Sequence, residues 1–231
     1  MSQKVLYHLG WMFVCLYARL MLRLDIHWQD QLPSGPKLFV ANHPSATDPF
    51  FIHLIFRQPM SVMITSNAFD VPLLGLYLRK IEQICVAPGQ GSVALEKARQ
   101  TLQMGRSVTI FPEGHTSPLE GGFLPPRTGA ARLALMTGMP LVPVGIYLPR
   151  ERSVHITSGI SGKRTTGHWY LRGPYSVTVG QPMQFRGDAE DRELVDTISL
   201  NIMRQIRLLA RESEQRVRRI GLHGLPARTA T

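Results

Sequence analysis

The stretch Leu38-Phe39-Val40-Ala41-Asn42-His43-Pro44-Ser45-Ala46-Thr47-Asp48-Pro49-Phe50 decides the fold. Leu38 to Ala41 read as a short buried strand, and the apolar run Phe50–Phe56 reads as a helix. Between them lies a tight polar turn. That turn brings an imidazole, His43, close to a carboxylate, Asp48. The carboxylate can accept the proton of one ring nitrogen and leave the other nitrogen free as a base. A second reading uses the same residues without chemistry: Asp48 is a helix N-cap and His43 a turn residue.

A second polar turn, Phe111-Pro112-Glu113-Gly114, has the same setting. Ser107–Phe111 reads as a β-branched strand that Pro112 terminates. Glu113 and Gly114 therefore sit past a strand end, as His43 does. In open α/β sheets ligands collect outside the carboxyl ends of the strands, so the two turns are expected to face one crevice. A solvated turn carboxylate beside a turn glycine is the plain alternative for Glu113.

The combination N-H-x4-D, then F-P-E-G, then Pro140-Leu141-Val142-Pro143-Val144 resembles the 1-acyl-glycerol-3-phosphate acyltransferase family. The segments Phe69-Asp70-Val71-Pro72-Leu73-Leu74-Gly75 and Arg127-Thr128-Gly129-Ala130-Ala131-Arg132-Leu133-Ala134 resemble that family's intervening helices. The resemblance covers roughly residues 35–185. It implies transfer of a fatty acyl group from a coenzyme A or acyl-carrier-protein thioester to a lipid hydroxyl. His43 is then the general base, Asp48 fixes its tautomer, and Glu113 and Gly114 help to position the acceptor. His115, Thr116 and Arg127 are the further candidates for acceptor binding. No covalent intermediate is implied, and the chain has no G-x-S-x-G nucleophile elbow.

Two departures from the family pattern bear on the acceptor. Thr116 stands where the resemblance leads one to expect an arginine, and Ile84-Cys85-Val86-Ala87-Pro88-Gly89 offers none after the second motif. Arginine suits bidentate grip on phosphate, so both losses weaken the expectation of a phosphate headgroup. Arg106, Arg127 and Arg132 are the candidates to replace it from another direction. The acceptor is thus either a lysophospholipid such as 1-acylglycerol 3-phosphate or a non-phosphate lipid or glycolipid. Gly89-Gln90-Gly91-Ser92 reads as a turn with Ser92 capping a helix Val93–Met104, or as a set of amides facing a phosphate.

The formal charge is +10, and 21 of 26 basic residues are arginine. That balance fits an anionic membrane surface, coenzyme A or an acidic carrier protein. Nucleic acid is not expected, since no recognition-helix, zinc or aromatic-basic RNA motif occurs. Two cysteines, Cys15 and Cys85, make neither a disulfide framework nor a metal cluster. His8, His27, His53, His155, His168 and His223 lack ligand spacing, so no metal and no cofactor beyond the thioester co-substrate are expected.

Leu9–Leu22 is apolar but for Arg19, too short for a spanning helix and without a cleavage pattern. It reads as an amphipathic helix at the headgroup level or as a helix packed on its own sheet. The lipid substrate implied by the resemblance favours membrane contact, peripheral or monotopic, on the cytoplasmic face.

Candidate strands are 37–41, 61–64, 83–86, 107–111, 141–147, 154–157 and 175–179. Candidate helices are 5–23, 49–56, 69–79, 92–104, 129–137 and 191–219. Their alternation predicts an α/β fold: one layered domain with a mixed, largely parallel sheet flanked by helices. The expected division is an N-terminal amphipathic helical segment 1–28, an acyltransferase domain 29–220 and a flexible tail 221–231. Leu194, Ile198, Ile202, Ile206 and Leu209 form a core stripe, and Arg211–Arg219 a basic helix end facing solvent or anionic lipid. Residues 158–167 read as a loop. Besides acyl transfer, two function classes fit: a non-catalytic lipid-binding relative, and an esterase or thioesterase using the same base on water.

Overall fold

A computed structural model describes residues 2–159 and 165–223. Helix α1 (Gln3–Met21) runs directly into strand β1 (Leu22–Trp28). Next come β2 (Leu38–Ala41), the short α2 (Asp48–Phe51) with a 3-10 turn at Ile52–Ile55, and β3 (Met60–Thr65). Helices α3 (Ser66–Phe69) and α4 (Leu74–Lys80), β4 (Ile84–Val86), α5 (Gly91–Gln103) and β5 (Ser107–Ile110) follow. The last described elements are α6 (Gly129–Thr137), β6 (Leu141–Tyr147), the antiparallel pair β7 (Val154–Ser158) and β8 (Thr165–Trp169), β9 (Gly173–Val179) and α7 (Arg192–His223).

Seven strands form one sheet in the order β1-β9-β6-β2-β5-β3-β4. Every pairing is parallel except β6 with β9. Strand β2 lies at its centre and is buried on both faces, as an uninterrupted apolar run requires. Its side chains alternate between two cores. Phe39 and Ala41 join the core under α1 and α2, while Leu38 and Val40 join the core under α5, α6 and α7. The stripe Ile198, Ile202, Ile206 and Leu209 is buried, with Leu194 half-buried beside it. Helix α7 rests on β6 so closely that a Cβ at Gly145 would lie 2.1 Å from the Ala210 nitrogen. Only glycine admits that approach.

Several boundaries differ from expectation. The N-terminal segment is not helical to residue 28. Its helix stops at Met21, and Leu22–Trp28 pair along their whole length with β9 as an edge strand of the main sheet. The expected helix 69–79 is broken by Pro72 and by Leu73 at φ +63. Helix α5 begins at Gly91 with Gln90 before it, so Ser92 lies inside the helix rather than capping it. The expected loop 158–167 is strand at both ends, and residues 160–164 lie outside the described residues. Of the expected tail, 221–223 continue α7 and 224–231 lie outside the described residues. In the basic helix end, Arg216 is tied to Asp25 at 2.8 Å and to the Ser176 hydroxyl, stapling α7 across β1 and β9.

Candidate active site

The parallel register of β2 and β5 positions the site. Leu38 lies opposite Val108 and Val40 opposite Ile110. Carried three residues past the last pair, the same offset sets His43 opposite Glu113. There the His43 N–H donates to Glu113 Oε1 at 3.0 Å, and the His43 carbonyl accepts the Ser117 N–H at 2.7 Å. On the other side the Asn42 amide extends the pairing of β2 with β6, donating to the Ile146 carbonyl at 2.8 Å and accepting its N–H at 2.7 Å. The turn that carries His43 is therefore held by both neighbouring strands.

His43 Nδ1 is 3.0 Å from Asp48 Oδ2. Asp48 is fully buried and accepts two further bonds, from the Ser45 N–H at 2.7 Å and the Tyr175 hydroxyl at 2.9 Å. An ionised carboxylate only accepts, so the imidazole proton sits on Nδ1. The His43 ring also stacks on Phe111, with centroids 4.4 Å apart. Its Nε2 has no hydrogen-bond partner among the described residues. Burial first, then the Asp48 charge, pushes the Tyr175 phenol well above its ordinary range, which keeps it a donor. Asp48 is the first residue of α2, with Thr47 at the N-cap, so it orients His43 and closes the turn together.

The turn is also bound to the β7–β8 pair. The Ser45 hydroxyl donates to the His168 carbonyl at 3.0 Å and accepts the Tyr170 N–H at 2.9 Å. Ser45, Tyr170 and Tyr175 were not among the residues expected here. Tyr175 lies 127 residues from Asp48, and no local pattern marks such a partner.

Glu113 is 98% buried, and both of its oxygens are engaged within the protein. Oε1 accepts from His43 N–H and the Ser117 hydroxyl, and Oε2 accepts the Leu124 N–H at 2.7 Å. It is not the solvated turn carboxylate of the plain alternative; its two oxygens tie the two polar turns together. Gly114 adopts φ +70, and a Cβ there would lie 2.4 Å from Arg127 Nε. Arg127, exposed at the start of α6, reaches His115 Nε2 at 3.2 Å, with Thr116 half-buried next to it. Arg106 is committed to Glu82 and the carbonyls of Ile81 and Met60, and Arg132 to Ala189 and Glu190. Arg150, just past β6, donates to the Gly122 carbonyl and keeps a buried Nη1 without a partner among the described residues. Nothing in the sequence singled it out.

An apolar cavity of about 490 Å³ opens beside the turn, with Thr47, Pro49 and Phe51 in its wall. This size is usual for a small-molecule site. Its roof is α1, from Tyr17 back to Tyr7, a span of about 15 Å. Gly10 explains itself here: the Tyr77 hydroxyl occupies the space a side chain would need. His53 lines the cavity and is buried. Burial, and secondarily the Arg106 charge, lower its pKa to about 4. Because the folded pKa lies below the ordinary 6.5, unfolding takes up a proton between the two values. The stability it contributes is present above pH 6.5 and is lost as pH falls toward 4, by about 3 kcal/mol. Urea unfolding at pH 7 and pH 4.5 checks this, with a smaller acid loss expected in His53→Leu.

A profile of the acyltransferase family matches residues 23–147, more than half of the chain. The chain belongs to the acyltransferase family. It is 30% identical over 141 residues to a 1-acyl-sn-glycerol-3-phosphate acyltransferase of Saccharomyces cerevisiae, covering 56% of this chain and 46% of that protein. It is 27% identical over 147 residues to the enzyme of the same name from Borreliella burgdorferi, covering 61% and 58%. A lyso-ornithine lipid O-acyltransferase of Pseudomonas aeruginosa is 30% identical over 135 residues, 56% of this chain and 50% of that protein. The matches thus span about half the length of these relatives. The crystal structure of PlsC, the 1-acyl-sn-glycerophosphate acyltransferase of Thermotoga maritima, superimposes with a TM-score of 0.61 over 99% of this chain and 81% of that one. At 19% identity it shows the shared fold.

Proposed function

We propose that this acyltransferase moves a fatty acyl group from an acyl-coenzyme A or acyl-carrier-protein thioester to a hydroxyl of a lysophospholipid, such as 1-acylglycerol 3-phosphate. The observation that carries the reading is the His43 imidazole, its Nδ1 tied to a buried carboxylate and its Nε2 unpartnered among the described residues, on a turn that borders an apolar cavity. Nε2 takes the proton of the acceptor hydroxyl as its oxygen attacks the thioester carbon. The carbon–sulfur bond then breaks, and the departing thiolate receives that proton from the imidazolium. Asp48 stabilises the imidazolium between the two steps. The cavity under α1 holds the acyl chain, which orients the thioester against His43.

Arg127, with His115 and Thr116, forms the rim at which the acceptor headgroup binds, and it favours an anionic group there. A non-phosphate acceptor is the second reading, favoured by Thr116 and by the relative named for a lyso-ornithine lipid. Transfer of labelled acyl groups to a panel of lysophosphatidic acid, neutral lysolipids and glycolipids decides between them. Efficient transfer to lysophosphatidic acid supports the first reading. Transfer confined to acceptors without phosphate supports the second.

Membrane association rests on the outer face of α1. Met12, Phe13, Leu16 and Leu20 are each more than half exposed, while Tyr7 and Ala18 of the same helix are buried. Arg19 and Arg23 flank the end of this stripe, suited to lipid phosphates. Leu73 and Leu76 add exposed apolar surface near the helix whose Tyr77 touches Gly10. Among the described residues no helix is long and apolar enough to cross a membrane. On the reading proposed here the exposed stripe of α1 rests on the cytoplasmic face of a membrane, where the cavity roof meets the lipid that supplies the acceptor. Phe13→Glu with Leu16→Glu is expected to weaken sedimentation with anionic vesicles about tenfold or more, with melting temperature unchanged.

A further inference from the structure

Away from the catalytic turn the cavity wall carries polar groups. His53 Nδ1 lies 3.0 Å from the Tyr7 hydroxyl, which also accepts the Met60 N–H at 3.2 Å. The indole of Trp11, one turn further along the same face of α1, donates to the His53 carbonyl at 3.1 Å and holds the backbone there. Gln83, another polar residue of the lining, is consumed by the backbone of Met60 and Val62. His53 Nε2 has no such partner among the described residues, although the residue is 91% buried and lines the cavity. A wholly apolar ligand would leave this nitrogen unpaired, which binding sites avoid.

We propose that this end of the cavity is a hydroxyl-recognising site, and that the preferred acyl chain carries a hydroxyl group in its middle or distal part. The proposal rests on the reading of the cavity as the acyl-chain site. Two arguments select the ligand. The ring is neutral, and its tautomer follows from whether Tyr7 donates to it or to the Gln58 carbonyl at 3.4 Å. Nε2 is accordingly either a donor or an acceptor, and a hydroxyl satisfies both cases whereas a carbonyl or ether satisfies one. The position follows from the chain. His53 stands five residues beyond Asp48 along α2 and the 3-10 turn, about 8–10 Å from the catalytic turn. A hydroxyl next to the thioester does not reach it.

The test is displacement of a fluorescent fatty acid from the purified full chain by saturated acids of one length. These carry no hydroxyl, or one near the carboxyl end, at mid-chain or at the methyl end. The mid-chain or terminal hydroxy acid is expected to bind about tenfold more tightly than the unsubstituted acid. In His53→Leu that preference disappears while the unsubstituted acid still binds. Equal or weaker binding of every hydroxy acid by wild type overturns the proposal and leaves the acyl-cavity reading standing. If no fatty acid displaces the probe, the cavity reading itself falls, and the proposal with it. The wild-type series decides the matter even where the variant does not fold.

Discussion

Replacing His43 with alanine is expected to lower acyl transfer by about a hundred- to ten-thousand-fold, with the melting temperature within a few degrees of wild type. The side chain is 15% exposed and closes no core. Its removal costs one bond to Asp48 and the stacking on Phe111, while Asp48 keeps the Ser45 N–H and the Tyr175 hydroxyl. What goes is the imidazole whose Nδ1 is held by Asp48 and whose Nε2 has no partner among the described residues. Initial rates alongside a thermal melt check this. A variant that transfers acyl groups at more than about a tenth of the wild-type rate would place the base elsewhere.

Glu113→Ala is expected to act on the fold instead. It strips acceptors from three donors at once, the His43 N–H, the Ser117 hydroxyl and the Leu124 N–H. Buried donors left unpaired cost about 1–3 kcal/mol each, so a loss of about 3–9 kcal/mol follows, a large share of a usual domain stability. Glu113→Gln recovers part of it, because one amide oxygen still accepts, but its NH2 faces a donor. Urea unfolding measures both. A variant of unchanged stability with a raised KM for the acceptor would restore the headgroup role that the family resemblance implies.

These two residues also mark how far the sequence could be read. The turn Asn42–Pro49 was legible because its surroundings are local: an apolar tetrad before it, an apolar run after it, and His43 five residues from Asp48. The pairing of the two turns followed from strand ends lying at one edge of a parallel sheet. The partners of Glu113 were not legible, because they are set by a loop that returns from Leu124, and by the strand register, neither of which a spacing pattern encodes. Strand β1 shows a different loss. Leu22, Leu24, Ile26 and Trp28 alternate with Arg23, Asp25 and His27, a strand period hidden by the adjoining apolar helix. The period changes at Met21 without a glycine or proline to mark it. His53 carried no signal either. Its meaning comes from burial against Tyr7, 46 residues away.

The most direct test of the account is whether thioester consumption needs the lipid acceptor. Free thiol release from acyl-coenzyme A and from acyl-carrier protein would be followed with purified protein on vesicles, with and without lysolipid, for wild type and His43→Ala. Release is expected to rise with lysolipid, to match the new diacyl product one for one, and to vanish in the variant. Release that proceeds equally without lysolipid and yields free fatty acid would contradict it, and would make the same base a hydrolase for water.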